Sequence, residues 1–287
     1  MSNATSIKKV TSKTLLKMKL SGERITMLTA YDYSSAKYID ESGIDAVLIG
    51  DSLGMTMLGY KDTVNVTMEE MEIFTSAVSR GVNRAMIVAD MPFLSFQISK
   101  EQTLVNAGRL IRSGANAVKL EGANDFILEQ IAFLTQAGIG VIGHLGFTPQ
   151  YINTIGGYFV QGKSLENTIK LLELAKKIEQ AGAVALVLEM VSEESSKYIS
   201  EQLTIPTIGI GSGRFCDGQV LVIDDILGRY HGNTPKFVKK YADLQSIIKD
   251  SVKAYINDVK TGEFPQESHV FKLTTEEREK FDNEFNR

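Results

Sequence analysis

Four carboxylates in this chain each close a short apolar run: Asp51 after DAVLIG, Asp90 in AMIVAD, Glu121 in NAVKLEG and Glu189 in AVALVLEM. Lys119 stands two residues before Glu121, Ser52 follows Asp51, and His144 lies in IGVIGHLG. Buried charges are costly unless they are paired or ligate a cation, so this set predicts a metal ion or matched bases nearby. Two carboxylates at neighbouring strand ends suit magnesium, which takes oxygen ligands, keeps several waters and needs only one or two protein carboxylates. With three histidines and one cysteine in the chain, zinc is a poor alternative. Glu189 follows a run of apolar residues and is expected to be partly desolvated, which suits a general base working near neutral pH.

Each residue also has a plainer reading. Asp51 could cap the turn that follows it, and Asp90 precedes a Met-Pro step where it could act as a turn acid. Lys119 and Glu121 could form a structural pair, and His144 could be a hydrogen-bonded core histidine. Glu189 would sit on a solvated loop if its strand ended earlier. GIGSG at Gly209–Gly213 resembles a phosphate cradle but lacks the spacing of a dinucleotide fingerprint. In a barrel that loop could hold an anion, or stay small to admit a flat ring. Met55, Met57, Met68 and Met71 read as core filling or lid packing, and Cys216 as a small apolar side chain.

A repeated unit of strand and helix would bring these residues together. Short β-rich runs occur at Ile25–Ala30, Asp45–Gly50, Ala85–Asp90, Asn116–Gly122, Ile139–Gly146, Ala183–Met190, Ile205–Gly211 and Gln219–Asp225. Between them lie segments of helical period, including Met68–Val82, Lys100–Ser113, Ser164–Gln180 and Phe237–Asp258. Glycines in the turns ESG, RSG and QAG suit helix C-caps. The pattern predicts an α/β fold, a single (β/α)8 TIM barrel, whose usual size of about 250 residues fits one catalytic domain over residues 1–287. Catalytic groups of such barrels gather at the C-terminal strand ends, where this chain puts its acids. The alternation around Leu120 aims Lys119 and Glu121 at the same, lumenal face.

Lys8–Leu20 reads as a short N-terminal helix that could plug the lower mouth. The eighth run continues as QVLVIDDILG, which could equally be helical by period. From Gly262 the chain turns polar and could be a last helix, a subunit arm or a frayed end. Ser2, Asn3 and Ala4, native or an expression remnant, are left out of the fold argument.

Lys and Arg total 31 against 35 Asp and Glu, a net charge of −4 without any dense basic block, which argues against nucleic acid as a partner. No apolar run approaches bilayer length and no secretory apolar segment opens the chain, so a soluble, unexported protein is expected. One cysteine permits no intrachain disulfide and fits a reducing, cytoplasmic setting.

The strings TAYDYSSAKYIDESGIDAVLIGDSLG, VADMPF, AVKLEG, GHLGFTPQ, LVLEMV and TIGIGSGRFCDGQVLVIDD, in this order, resemble the ketopantoate hydroxymethyltransferase family across roughly residues 10 to 265. The resemblance implies one Mg2+ per subunit bound by Asp51 and Asp90, with Glu121 close to it, directly or through water. It implies that Ser52 and Lys119 contact a 2-oxo acid, α-ketoisovalerate, beside Asp51 and Asp90, that His144 orients the substrate or an acidic neighbour, and that Glu189 is the proton acceptor. The one-carbon donor would be 5,10-methylenetetrahydrofolate and the setting pantothenate and coenzyme A biosynthesis, in a cytoplasmic homo-oligomer, commonly a decamer in this family. Ser212 stands where the family often has alanine, a small change that leaves the site assignments intact.

The nearest rival is a magnesium-dependent lyase or mutase on the same barrel, acting on phosphoenolpyruvate-like or isocitrate-like acids. Its common Lys-Lys-Cys-Gly-His string is absent here. A catalytically silent scaffold or folate-binding module is a different class of alternative, and intact acids at so many strand ends speak against it.

Overall fold

The computed structural model describes residues 8–229 and 234–285, so residues 2–4 lie outside the described residues. In chain order the elements are α1 Ser12–Ser21, β1 Ile25–Thr29, α2 Tyr33–Glu41, β2 Ala46–Ile49, α3 Leu53–Thr56, α4 Met68–Gly81, β3 Met86–Asp90, α5 Lys100–Arg112, β4 Ala117–Glu121 and α6 Asp125–Gln136. They continue with β5 Gly140–Gly146, a 3-10 turn Pro149–Tyr151, α7 Ile152–Ile155, α8 Leu165–Gln180, β6 Ala185–Glu189, α9 Glu193–Gln202, β7 Thr207–Ile210, β8 Gly218–Leu221, α10 Ile223–Ile226, α11 Leu244–Thr261 and α12 Thr275–Phe285. The eight strands pair in sequence order as one closed barrel, and all are parallel. Closure joins β1 to β8, Ile25 to Leu28 lying opposite Gly218 to Leu221. This is the (β/α)8 architecture that the alternating runs predict.

Local chemistry starts the helices where they start. Asp32, Ser99, Asn124, Ser164 and Ser192 each accept the third backbone N–H of the helix that follows, satisfying a donor that has no partner inside the helix. At α4, Thr67 and Glu70 cap one another reciprocally.

Strand period 2 then sorts side chains into two cores. Outward residues such as Val47, Ile87, Val118 and Leu186 pack beneath the helices. Inward residues such as Met27, Leu48, Val88 and Val187 fill the lumen, where Leu15 and Met18 of α1 join them. The backbone N–H of Val10, just before α1, also donates to the carbonyl of Arg84 below β3. The N-terminal helix therefore closes the lower mouth.

Three boundaries differ from the sequence expectation. The N-terminal helix begins at Ser12, four residues later than Lys8, because Thr11 and Thr14 form a reciprocal cap there. The eighth run splits: β8 stops at Leu221 and the following Ile223–Ile226 turns helical, so both readings of that segment are realised in succession. The helix expected from Phe237 starts at Leu244, where Asp243 caps Ser246. Phe237 is instead packed beside Gly211, so close that a β-carbon added to that glycine would meet its ring at 2.8 Å. Tertiary packing has taken an apolar residue whose spacing mimics a helical period. The polar tail forms α12, none of whose residues is buried. Among the described residues no helix is long and apolar enough to cross a membrane.

Candidate active site

Parallel register stacks the charged residues in one layer above the apolar lumen. Asp90 lies opposite Lys119, Glu121 opposite His144, and Gly146 opposite Glu189. Below them on the same strands point Val88, Ala117, Ile142 and Val187, all buried. The polar layer opens into a cavity of about 200 Å³ that is lined by Asp51, Ser52, Asp90, Lys119, Glu121, His144 and Glu189. The seven polar residues expected in the site thus line one cavity. Leu48, Val187, Ile210 and Val220 form its apolar wall, and Met55, Phe147 and Tyr158 also line it. The rings of Phe147 and Tyr158 lie 4.8 Å apart between centroids.

The acids are linked into a network. The backbone N–H of Asp51 donates to Asp90 Oδ2 at 3.1 Å. Glycine at position 50 leaves room for the Ser52 hydroxyl, whose oxygen a β-carbon there would meet at 2.8 Å. Lys119 Nζ lies 3.2 Å from Asp90 Oδ1 and 3.8 Å from Glu121 Oε1. His144 Nδ1 lies 3.1 Å from Lys119 Nζ and 3.4 Å from Glu121 Oε1. It accepts from the lysine when Nδ1 is bare and donates to Glu121 when Nδ1 is protonated. On the other side of the ring, Nε2 is 3.3 Å from Glu189 Oε2 without the alignment of a hydrogen bond. Glu189 ends β6 with its side chain 18% exposed, the most open of the four acids.

Burial sets the electrostatics. It pushes the Asp51 carboxyl well above its usual range, and the neighbouring Asp90 and Glu121 add to the effect. Asp90 is raised by the same burial and by Glu121, against the opposing pull of Lys119. Burial also works against the charge on Glu121, but His144 and Lys119 outweigh it and hold this carboxyl below its usual value. For His144, burial and Lys119 oppose the cation, yet Glu121 and Glu189 prevail and its pKa is pushed up to about 9. Lys119 is held as an ammonium by Asp90, Glu121, Asp51 and Glu189 despite its burial.

With all four carboxylates ionised, one ammonium and one imidazolium would leave two negative charges uncompensated, which is why Asp51 and Asp90 are pushed toward their neutral forms without a cation. Asp90 Oδ1 is buried without a hydrogen bond, although Lys119 lies close. A hard dication between Asp51 and Asp90 fits this donor set. Among the described residues no group of three or more His, Cys, Asp or Glu side chains is arranged to hold a metal alone. Two protein carboxylates would therefore have to be completed by water and by oxygens of a substrate. Glu121 is already engaged at both oxygens, by Lys119 and His144 at Oε1 and by the Gln150 backbone N–H at Oε2.

Two residues escaped the sequence reading. Tyr31, buried just beyond β1, shares a 2.8 Å hydrogen bond with Ser52 Oγ. Gln150, in the 3-10 turn after β5, donates through Nε2 to Asp51 Oδ2 and to the Met91 carbonyl, each at 2.9 Å. Both lie in quoted strings, TAYDYSS and GHLGFTPQ, and both directly follow strands that end in the site. That position was the available signal. Within GIGSG, Ile210 lines the cavity, whereas Ser212 is buried, donating to the Leu188 carbonyl at 2.6 Å and accepting the Val191 N–H at 3.1 Å. Met68, Met71 and Cys216 are buried in the outer core, as expected.

The barrel is similar to solved structures of a phosphonopyruvate hydrolase complexed with oxalate and Mg++ (TM-score 0.58, 12% identity, 96% of this chain and 99% of that one covered) and of 2,3-dimethylmalate lyase (TM-score 0.57, 14% identity, 95% and 98% covered). At such identities the likeness is one of fold. Sequence is more specific. A protein of Clostridium novyi named 3-methyl-2-oxobutanoate hydroxymethyltransferase is 55% identical over 266 residues, 92% of this chain and 96% of its own length. One of the same name from Bacillus cereus is 52% identical over 268 residues, 93% and 96% of the two lengths. The family model described as ketopantoate hydroxymethyltransferase matches residues 9–267, a span that contains every strand of the barrel and every side chain of the acidic layer, and to that family this chain belongs.

Proposed function

We propose that this chain is a 3-methyl-2-oxobutanoate hydroxymethyltransferase, transferring a one-carbon unit from 5,10-methylenetetrahydrofolate to α-ketoisovalerate with uptake of one water, to give ketopantoate and tetrahydrofolate. One observation carries the reading: in a chain of this family, the Asp51–Asp90 pair, the Lys119 ammonium and the Glu189 carboxylate line the same small cavity. Asp51 and Asp90 would hold one Mg2+, with Glu121 reaching it through water. When bound, the cation would supply a Lewis acid that polarises the keto group of the substrate and so makes a C3 proton easier to remove.

The remaining steps are assigned to the chain's own groups. Lys119, fixed between Asp90 and Glu121, neutralises the substrate's charge. Ser52, held by Tyr31, donates to a substrate oxygen. Glu189 accepts the C3 proton, with His144 keeping its Oε2 in place from 3.3 Å. Leu48, Val187 and Val220 surround the isopropyl group and exclude water from it. A cavity of about 200 Å³ suits a small acid, and the exposed ring of Tyr158, packed against the buried Phe147, offers an apolar face to the folate's pterin ring. Incubating the protein with α-ketoisovalerate, methylenetetrahydrofolate and Mg2+ should yield ketopantoate, and chelation should stop it. A cation-independent rate, or no ketopantoate from folded protein, would contradict the proposal.

The chain is further proposed to be one catalytic domain that works in the cytoplasm as a homo-oligomer, a decamer by family resemblance. Support for association lies on α11, an amphipathic helix of 18 residues with no buried residue. Its apolar side chains Ile248, Val252, Tyr255 and Val259 are exposed. In a (β/α)8 barrel a helix after the eighth strand would cover the seam between β8 and β1. Here that seam borders an apolar groove of about 660 Å³ lined by Leu28, Ile39, Ile44, Ile223, Ile226 and Leu227. A second copy, presenting the same apolar surfaces, fits such a pairing.

A further inference from the structure

Gln150 sits on none of the strands whose acids it touches, yet it ties three of their ends together. Its side chain reaches Asp51 beyond β2 and the Met91 carbonyl beyond β3, and its backbone N–H reaches Glu121 Oε2 at the end of β4 at 3.0 Å. The residue is 3% exposed. Both neighbours of Nε2 are acceptors, so the amide can face only one way; an oxygen in that place would confront two oxygens. The cost of this orientation is visible, because Gln150 Oε1 is buried without a hydrogen bond. An apolar side chain of equal length would fill the same space but leave Asp51 Oδ2 and the Met91 carbonyl without this donor. The amide thus serves two acceptors at once, and one of them belongs to a carboxylate of the cavity.

We infer that Gln150 is a positioning residue for the cation site: it occupies Asp51 Oδ2 and Glu121 Oε2, so that Asp51 presents Oδ1 toward the space shared with Asp90 and Glu121 is held back from direct ligation. This rests on the reading of Asp51 and Asp90 as the cation's protein ligands. Groups that hydrogen-bond to metal ligands commonly contribute about 10- to 100-fold to metal affinity.

The test is a Mn2+ titration of the full-length protein, followed by electron paramagnetic resonance, for the wild type, Gln150→Met and Gln150→Asn. Methionine keeps the length without donors, and asparagine keeps the amide one methylene short of Asp51. Both variants should stay folded by circular dichroism and bind Mn2+ about 10- to 100-fold more weakly, with the cation concentration needed for half-maximal activity rising in parallel. Folded variants with wild-type Mn2+ affinity would overturn the inference and leave the metal reading standing. Unfolding of both would also overturn it, by making Gln150 structural. A wild type that binds no Mn2+ would sink the metal reading itself, and the inference with it.

Discussion

The backbone N–H of Asp51 donates to Asp90 Oδ2 at 3.1 Å, fastening the loop that leaves β2 to the carboxylate that ends β3. The two acids proposed to share one cation are thus held close without it. Burial and mutual repulsion work against their charges. A site pre-formed for function in this way stores instability in the metal-free protein.

Asp51→Asn should therefore abolish cation binding and turnover while making the metal-free protein more stable near neutral pH. The sign follows from linkage: Asp51 is raised in the folded state, so the wild type is favoured at low pH and loses stability as pH climbs from the ordinary carboxylate range through the raised value. The asparagine variant escapes that loss. Each kcal/mol would appear as about 2–4 °C in melting temperature for a protein of this size. Calorimetry in chelator across pH 4 to 8 checks it, on the order of the titration range of a raised carboxyl; a variant that melts below the wild type throughout would refute it.

Glu189→Gln keeps shape and removes the proposed proton acceptor. Turnover should fall about 10²- to 10⁴-fold, the usual range for a general base, and C3 hydrogen exchange of α-ketoisovalerate in deuterated water should fall with it. Substrate binding should survive. Near-normal exchange in the variant would pass the role of base to another group, with His144 first in line.

His144 is linked to pH in the same sense as Asp51, because its pKa too is raised in the folded protein. Its ordinary value of 6.5 is raised to about 9 in the folded protein by Glu121 and Glu189, against burial and Lys119. The stability it supplies is fully present below its ordinary value and disappears as pH rises through about 9. At most this is about 3 kcal/mol. In metal-free protein the melting temperature of the wild type should exceed that of His144→Gln most at pH 6 and converge with it by about pH 10. A gap independent of pH would mean that the ring contributes through packing alone.

Val252→Asp on α11 should separate the subunits of the proposed homo-oligomer, because the residue is 51% exposed on a helix none of whose residues is buried. Light scattering at micromolar concentration should report a smaller species than the wild type. An unchanged mass would remove α11 from the interface.

What the sequence determined by itself is whatever rests on local period and local caps. Two-residue alternation put Lys119 and Glu121 on one face, and strand ends located Asp51, Asp90, His144 and Glu189, because in a parallel barrel every C-terminal strand end reaches the same mouth. The order of the quoted strings was enough to indicate the family that the comparisons establish. Helix starts failed where a tertiary contact competed with period, as at Phe237, whose ring is packed beside Gly211. Only the folded structure could show that Gln150 donates to Asp51 and Met91, or that Tyr31 meets Ser52. An amide or hydroxyl carries no periodic signature, and its partners here lie as many as 99 residues away. The pairing exists only once barrel closure has brought separate strand ends within hydrogen-bond reach.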